Sequence, residues 1–266
     1  MPFGEDGDED VEVLGGRMGD VVRVDTVVRR SHGPAIVDEL LRALERARFD
    51  GAPRFIGRDA DGTQVLSFVE GYVPPTDGSA WADFVWSDEA LSHLGSLLRG
   101  LHTAARRSPL VDDGTGWGSP ELVSAPRETI CHNDAAPWNT VFRDGVPVAL
   151  VDWDLAAPGP ATNDVAYAAW RWAPLIPGRW ARPVGFDGDI RERARRVRLL
   201  CEAYGIEPGP WLVGEVGRRQ EVAIRTMRER AEAGDEAYVR AWDRAGAKLV
   251  HYRRWLDEHG DAIARA

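Results

Sequence analysis

His132-Asn133-Asp134, Asn139 and Asp152-Trp153-Asp154 carry the group types that phosphoryl transfer to a hydroxyl requires. One carboxylate must accept the hydroxyl proton, while a carboxamide and a second carboxylate hold Mg²⁺ against nucleotide phosphates. Asn139 follows Asp134 by five residues, an interval that puts a base and an amide oxygen on one short loop. A plain polar turn would use the same residue types, because Asp, Asn and Pro137 all favour turns. Asp152 weighs against that reading: it ends an apolar run at 146–151, where a bare carboxylate is costly unless it is solvated or paired with a metal.

The neighbouring side chains have supporting roles. If the strand runs on through residue 154, the two-residue period puts Asp152 and Asp154 on one face. If the chain turns there, Asp154 diverges, so it is either a second-ion ligand or a structural acceptor. Imidazole binds transition metals, but the oxygen-type partners favour Mg²⁺, and His132 is read as a loop-organising side chain bonded to nearby backbone. Asp164 follows a Pro- and Gly-containing turn and is expected to cap a helix at 165–173. Trp170, Trp172, Trp180 and Trp211 fit either a stacking surface for a ring-bearing substrate or core material.

These loops need elements to hold them. Short β-branched runs at 11–14, 21–24 and 26–30 alternate with Gly and Asp, the pattern of small antiparallel strands. Ile36, Val37, Leu40, Leu41, Leu44 and Ala47 then recur at helical spacing, and further strands are expected at 54–57 and 63–70. A connector with Pro74-Pro75 follows. Beyond it, Leu91, Leu94, Leu98 and Leu101 mark a helix over 88–106, and short strands at 129–131, 140–143 and 146–151 bracket the motif. Asp144-Gly145 signals a hairpin. Two more helical stripes cover 190–204 and 238–256. The expected class is α+β with two lobes: an acidic mobile tail at 1–12, a nucleotide-binding lobe at 13–70 made of a small antiparallel sheet with one helix, and a larger, mainly helical catalytic and substrate-binding lobe at 71–266.

Composition narrows the possibilities. The 266 residues are 44% hydrophobic and 29% charged, ordinary values for a globular protein. Six acids precede the first base, Arg17, and supply much of the formal charge of −10. Overall acidity opposes nucleic-acid backbones, and no run is long and apolar enough for a membrane span. A cytoplasmic protein is expected, with no nucleic-acid or membrane partner. Cys131 and Cys201 lack metal-ligand or disulfide spacing and are read as buried thiols.

The run from His132 to Asn139, followed by Asp152-Trp-Asp, resembles the aminoglycoside phosphotransferase and choline kinase-like family of small-molecule kinases, and the likeness extends over most of the chain. The resemblance implies a protein-kinase-like fold, Asp134 as catalytic base, Asn139 and Asp152 as Mg²⁺ ligands, and Asp164 within an Asp-x-Ala element. It also implies that the backbone of Ser67 and Val69 contacts the adenine, with Gly15 and Gly16 in the phosphate loop. Family members usually carry a Lys or Arg on the third strand to hold the α- and β-phosphates. The only lysine here, Lys248, falls far too late, so Arg29 is assigned that place, with Arg30 second. In this register Val37 stands where the family's helix glutamate would be, with Asp38 and Glu39 beside it.

The expected activity is transfer of the γ-phosphate of ATP or GTP to a hydroxyl of a small molecule such as an aminoglycoside, a sugar or an amino alcohol. The irregular glycine loop and the missing lysine motivate an alternative, a nucleotide-binding pseudokinase that senses or scaffolds. A protein kinase is disfavoured, because the chain has little room after Asp154 for a long activation segment.

Overall fold

The computed structural model describes residues 11–14, 21–31 and 33–265. Gly15, Gly16 and most of the acidic tail lie outside the described residues. A five-stranded antiparallel sheet opens the chain: β1 (Val11–Val13), β2 (Val21–Val24), β3 (Val27–Arg30), β4 (Phe55–Arg58) and β5 (Gln64–Ser67), in the order β1-β2-β3-β5-β4. The strand β1 therefore starts within the segment expected as tail. Helix α1 (Ala35–Arg46) buries Val37, Leu40, Leu41 and Leu44, the apolar stripe read from sequence.

Register decides which arginine faces inward. In β3, Arg30 pairs with Gln64 and Arg29 with Val65, so the two arginines project to opposite faces. Gln64 is fully buried and donates to Asp38 of α1 at 2.5 Å, which identifies the Arg30 face as the inner one. Asp38 also accepts from Arg58 Nε at 2.7 Å and Nη2 at 3.1 Å. A buried carboxylate needs such partners. The acid of α1 is thus committed to β4 and β5.

The link between the lobes turns at Gly71. Its φ is +150°, and a Cβ there would stand 2.3 Å from the Phe142 carbonyl oxygen. The next residue, Tyr72, forms a reciprocal backbone pair with Phe142, both bonds 2.8 Å, and so ties the linker to the second lobe. Gly71→Ala is expected to cost about 2–3 kcal/mol, measured by chemical denaturation. An unchanged midpoint would show that the linker can shift freely.

The second lobe is built around α2 (Asp88–Ala105), whose Leu91, Leu94, Leu98 and Leu101 are completely buried. Ser87 caps it by accepting from the Ala90 N–H at 3.0 Å. The paired strands β7 (Thr140–Arg143) and β8 (Val146–Leu150) turn at Asp144 and Gly145, both with positive φ, as the hairpin signal required. Strand β6 (Thr129–Cys131) pairs with β9 (Ala157–Gly159). Five helices follow: α3 (Thr162–Trp172), the single turn α4 (Gly178–Ala181), α5 (Ile190–Tyr204), α6 (Pro210–Glu232) and α7 (Glu236–Arg265). Among the described residues, no helix is long and apolar enough to cross a membrane.

Candidate active site

Strand β6 delivers the chain into a loop at 132–136, and a single 3-10 turn, Pro137–Asn139, leads it out into β7. Asp134 and Asn139 face each other across this loop. Asn139 Nδ2 donates to Asp134 Oδ2 at 2.7 Å and to the Asp134 carbonyl at 3.0 Å. The Tyr167 hydroxyl, from α3, donates to the other carboxylate oxygen, Oδ1. Burial raises the Asp134 pKa above the ordinary carboxylate range, and the Asp152 charge adds to this against the lowering effects of Tyr167 and Arg171. A raised pKa makes a stronger proton acceptor. Burial likewise pushes the Tyr167 phenol up, so it remains a donor at neutral pH.

Asp152 follows β8 in a left-handed conformation, φ 63° and ψ 72°, and the chain then enters a 3-10 turn at Trp153–Leu155. The strand does not continue, yet Asp152 and Asp154 still meet one cation. Arg30 Nη2 bonds Asp154 Oδ2 and lies 3.6 Å from Asp152 Oδ1. Arg29 instead pairs with Asp59 at 3.2 Å, half exposed on the outer face of the sheet. The strand's two-residue alternation therefore gives the inward place to Arg30 rather than Arg29.

Two hydrogen bonds hold the 132–139 segment and the 152–154 loop together through Val151. Its N–H donates to the Asn139 carbonyl at 2.9 Å, and its carbonyl accepts from His132 Nε2 at 3.1 Å. His132 Nδ1 accepts from the Asp134 N–H at 3.3 Å, so the Nε2–H tautomer satisfies both contacts. Its ring packs edge-on against Trp153, centroids 4.6 Å apart. Burial lowers the His132 pKa and keeps the ring neutral. His132 thus bonds backbone on both sides, at Val151 and at Asp134. Asn133, with a φ of 64°, adds a third tie by donating to the Leu155 carbonyl at 3.1 Å.

Asp164 does something different from capping. It lies in the first turn of α3 without exposed surface, and no side chain caps that helix. Its carboxylate accepts from the backbone N–H of His132 at 2.7 Å and of Asn133 at 2.6 Å, and from His102 Nε2 at 3.0 Å. His102, on α2, is held in turn by the Tyr204 hydroxyl at 2.8 Å. This chain of bonds anchors the 132–136 loop to α2, α3 and α5. Burial alone would raise the Asp164 pKa, but His102 first, then His132 and the Asn133 N–H, outweigh it and hold the pKa below the usual value.

His102, Cys131 and Asp164 present ligand-type atoms close together. Burial lifts the Cys131 thiol well above its ordinary pKa, and it donates to the Pro160 carbonyl, so this trio is spent on hydrogen bonds. Trp172 is core and holds the loop by donating to the Ala135 carbonyl at 2.9 Å, Trp170 is buried, and Trp211 is exposed. Arg219 of α6 donates to the Asn133 carbonyl at 2.8 Å.

Ser67 ends β5 rather than standing free at the linker. Its N–H donates to the Arg54 carbonyl at 2.9 Å and its hydroxyl accepts from the Arg54 N–H at 2.8 Å. Val69 lies past the strand end. A cavity of about 360 Å³ opens beside this linker, lined by Arg23, Phe68, Glu70, Gly71 and Arg143.

The donor set fits Mg²⁺. Asn139 turns its NH₂ toward Asp134, which directs its amide oxygen elsewhere, and Asp152 is 53% exposed next to a guanidinium that already occupies a cation's place. Hard oxygen donors of this kind suit Mg²⁺.

Comparison with known proteins agrees with the geometry. The model of the phosphotransferase enzyme family matches residues 117–200, the stretch that holds the site from Trp117 through α3 into α5. The trifolitoxin immunity protein of Rhizobium leguminosarum bv. trifolii is 33% identical in an alignment that covers 94% of this chain and 98% of that protein. The apoenzyme structure of macrolide 2′-phosphotransferase MphH from Brachybacterium faecium shares the fold at a TM-score of 0.58 and 18% identity, covering 92% of this chain and 93% of that one. A choline/ethanolamine kinase family protein from Mesorhizobium loti does so at a TM-score of 0.62 and 15% identity, covering 97% and 94%. With the relative aligned almost end to end, the family model on the stretch that holds the site and a kinase-like fold on both lobes, the chain belongs to the phosphotransferase enzyme family.

Proposed function

We propose that the chain moves the γ-phosphate of ATP or GTP to a hydroxyl of a small molecule, with Asp134 as the base. One observation carries this reading: Asn139 bonds Asp134 within one loop, the Asn139 carbonyl accepts from the N–H of Val151, next to Asp152, and Asp152 lies beside Arg30 of the first lobe. Asp134 Oδ1 and Oδ2 each already accept one hydrogen bond, from Tyr167 and Asn139, and each retains a lone pair for the acceptor hydroxyl. Fixing the carboxylate from both sides holds its free lone pairs in one direction, and its raised pKa suits it to take the proton as the oxygen attacks. Asn139 and Asp152 would hold Mg²⁺, which when bound supplies charge neutralisation at the phosphates. Arg30 leaves its pairing with Asp152 and Asp154 to grip phosphate oxygens, a task its planar fork performs with two hydrogen bonds.

Arg30→Gln is expected to raise the KM for nucleotide roughly 10- to 100-fold, whereas Arg29→Gln changes it by no more than about twofold, as for an exposed ion pair. The measurement is nucleotide consumption over a panel of aminoglycosides, macrolides, sugars and amino alcohols. The 33% identical relative is named for immunity to trifolitoxin, which supports adding toxins to that panel. The reverse order of effects would return the phosphate-binding role to Arg29.

The pseudokinase reading draws on the commitment of Asp38 to Arg58 and Gln64, which leaves Arg30 with no partner from α1 among the described residues. Nucleotide binding without phosphate transfer to any member of the panel would favour it.

A further inference from the structure

Beside Tyr167, one turn further along α3, stands Arg171, whose charge acts on Asp134. Its guanidinium carbon lies 3.7 Å from the Trp170 ring centroid, 5.1 Å from that of Tyr167 and 5.2 Å from that of Trp138, the residue just before Asn139 in the catalytic loop. It is only partly buried, and among the described residues no carboxylate forms an ion pair with it. Its Nε is buried and lacks a hydrogen-bond partner, as does Trp170 Nε1 alongside it. Across from them on α6, Arg219 Nε and both amide atoms of the completely buried Gln220 are also unpartnered. Unpartnered polar atoms on two packed helices, most of them donors, are costly unless something bonds them. In a chain of formal charge −10, an arginine without a carboxylate partner next to the base is the opposite of what a polycationic acceptor would need.

We propose that Arg171, framed by Trp138, Tyr167 and Trp170, receives an anionic group of the acceptor, so that the substrate is a hydroxyl compound bearing a carboxylate or phosphate. This rests on the phosphotransferase reading and names the acceptor class within it. The anion lies against the guanidinium while the partly exposed Trp138 ring packs the carbon skeleton, and the hydroxyl is presented to Asp134. Arg171 is a specificity-determining residue here.

Binding to the full chain saturated with Mg-ADP is followed by tryptophan fluorescence, since Trp138 and Trp170 adjoin the guanidinium. The probes are four matched sugars: glucuronate, glucose 6-phosphate, glucose and glucosamine. Glucuronate or glucose 6-phosphate is expected to bind roughly 10- to 100-fold more tightly than glucose, with glucosamine weakest, and the stronger of the two anions identifies carboxylate or phosphate. Arg171→Gln is expected to abolish the preference and Arg171→Lys to keep part of it. The Lys variant serves if the Gln variant does not fold. Glucose or glucosamine binding as well as the anions, an order that survives in both variants, or no response to any sugar would overturn the proposal. Mg-ADP affinity, measured in the same samples, reads the phosphotransferase assignment separately: it persists if only the acceptor class is wrong and fails if the nucleotide site itself is.

Discussion

Replacing Asp134 with asparagine is expected to lower turnover by roughly 10²–10⁴, the range for a lost acid–base group, while Mg-nucleotide binding survives. The substitution removes the proton acceptor and also inverts one hydrogen bond. Tyr167 and Asn139 both donate to the carboxylate, so an amide at this position must turn its NH₂ toward one of two donors. The wild-type pH profile should show the same group. Asp134 works as a base only when ionised, and its pKa is raised by burial, so activity should fall on the acid side at a pH above the ordinary carboxylate range. Product detection by mass spectrometry with each acceptor gives the measurement. A variant that turns over normally would remove Asp134 from the chemistry.

The largest structural effect is expected at Asp164. Asp164→Ala leaves the His132 and Asn133 N–H groups and His102 without an acceptor inside the protein, and should destabilise the fold by about 3–5 kcal/mol. A simple helix-cap loss would cost about 1 kcal/mol, so equilibrium denaturation separates the two roles. The pH dependence has a definite sign. Because the folded-state pKa of Asp164 is depressed, its contribution is present in full above the unfolded carboxylate pKa and is lost as pH falls toward the folded value. The variant's stability should therefore approach that of the wild type in acid. A constant difference across the acid range would mean that the lost contribution is not carried by the charge.

Much of this was legible in the sequence because the chemistry depends on local spacing. Asp134 and Asn139 share a loop, and Asp152 ends an apolar strand, so each announced itself within a short window. The sheet, α1, α2, α5 and α7 followed from hydrophobic periodicity. Helix α6 did not, because its buried face includes Gly217, Arg219 and Gln220 among Leu212, Val216 and Ile224, which breaks the apolar stripe. Strand β9 was hidden as well, since Ala157-Pro158-Gly159 has none of the β-branched character that marks a strand. The choice between Arg29 and Arg30 turned on strand register, which a one-residue slip reverses. Tyr167 and Arg219 reach the loop from 33 and 86 residues away in sequence, and His102 reaches it through Asp164, 62 residues on, so only the packing of α2, α3 and α6 reveals them. For Asp164, a position at a helix start suggested a cap, but complete burial redirected the carboxylate to the loop amides.

Whether Asn139 and Asp152 grip one nucleotide-bound cation is tested most directly by titrating Mn²⁺ in place of Mg²⁺ against the protein with a non-hydrolysable ATP analogue, free Mn²⁺ being read by electron paramagnetic resonance. A single nucleotide-dependent site is expected in the wild type, weakened about 10- to 100-fold or more by Asp152→Asn and by Asn139→Ala and unchanged by Asp59→Asn. The same stoichiometry and affinity in all four proteins would contradict it.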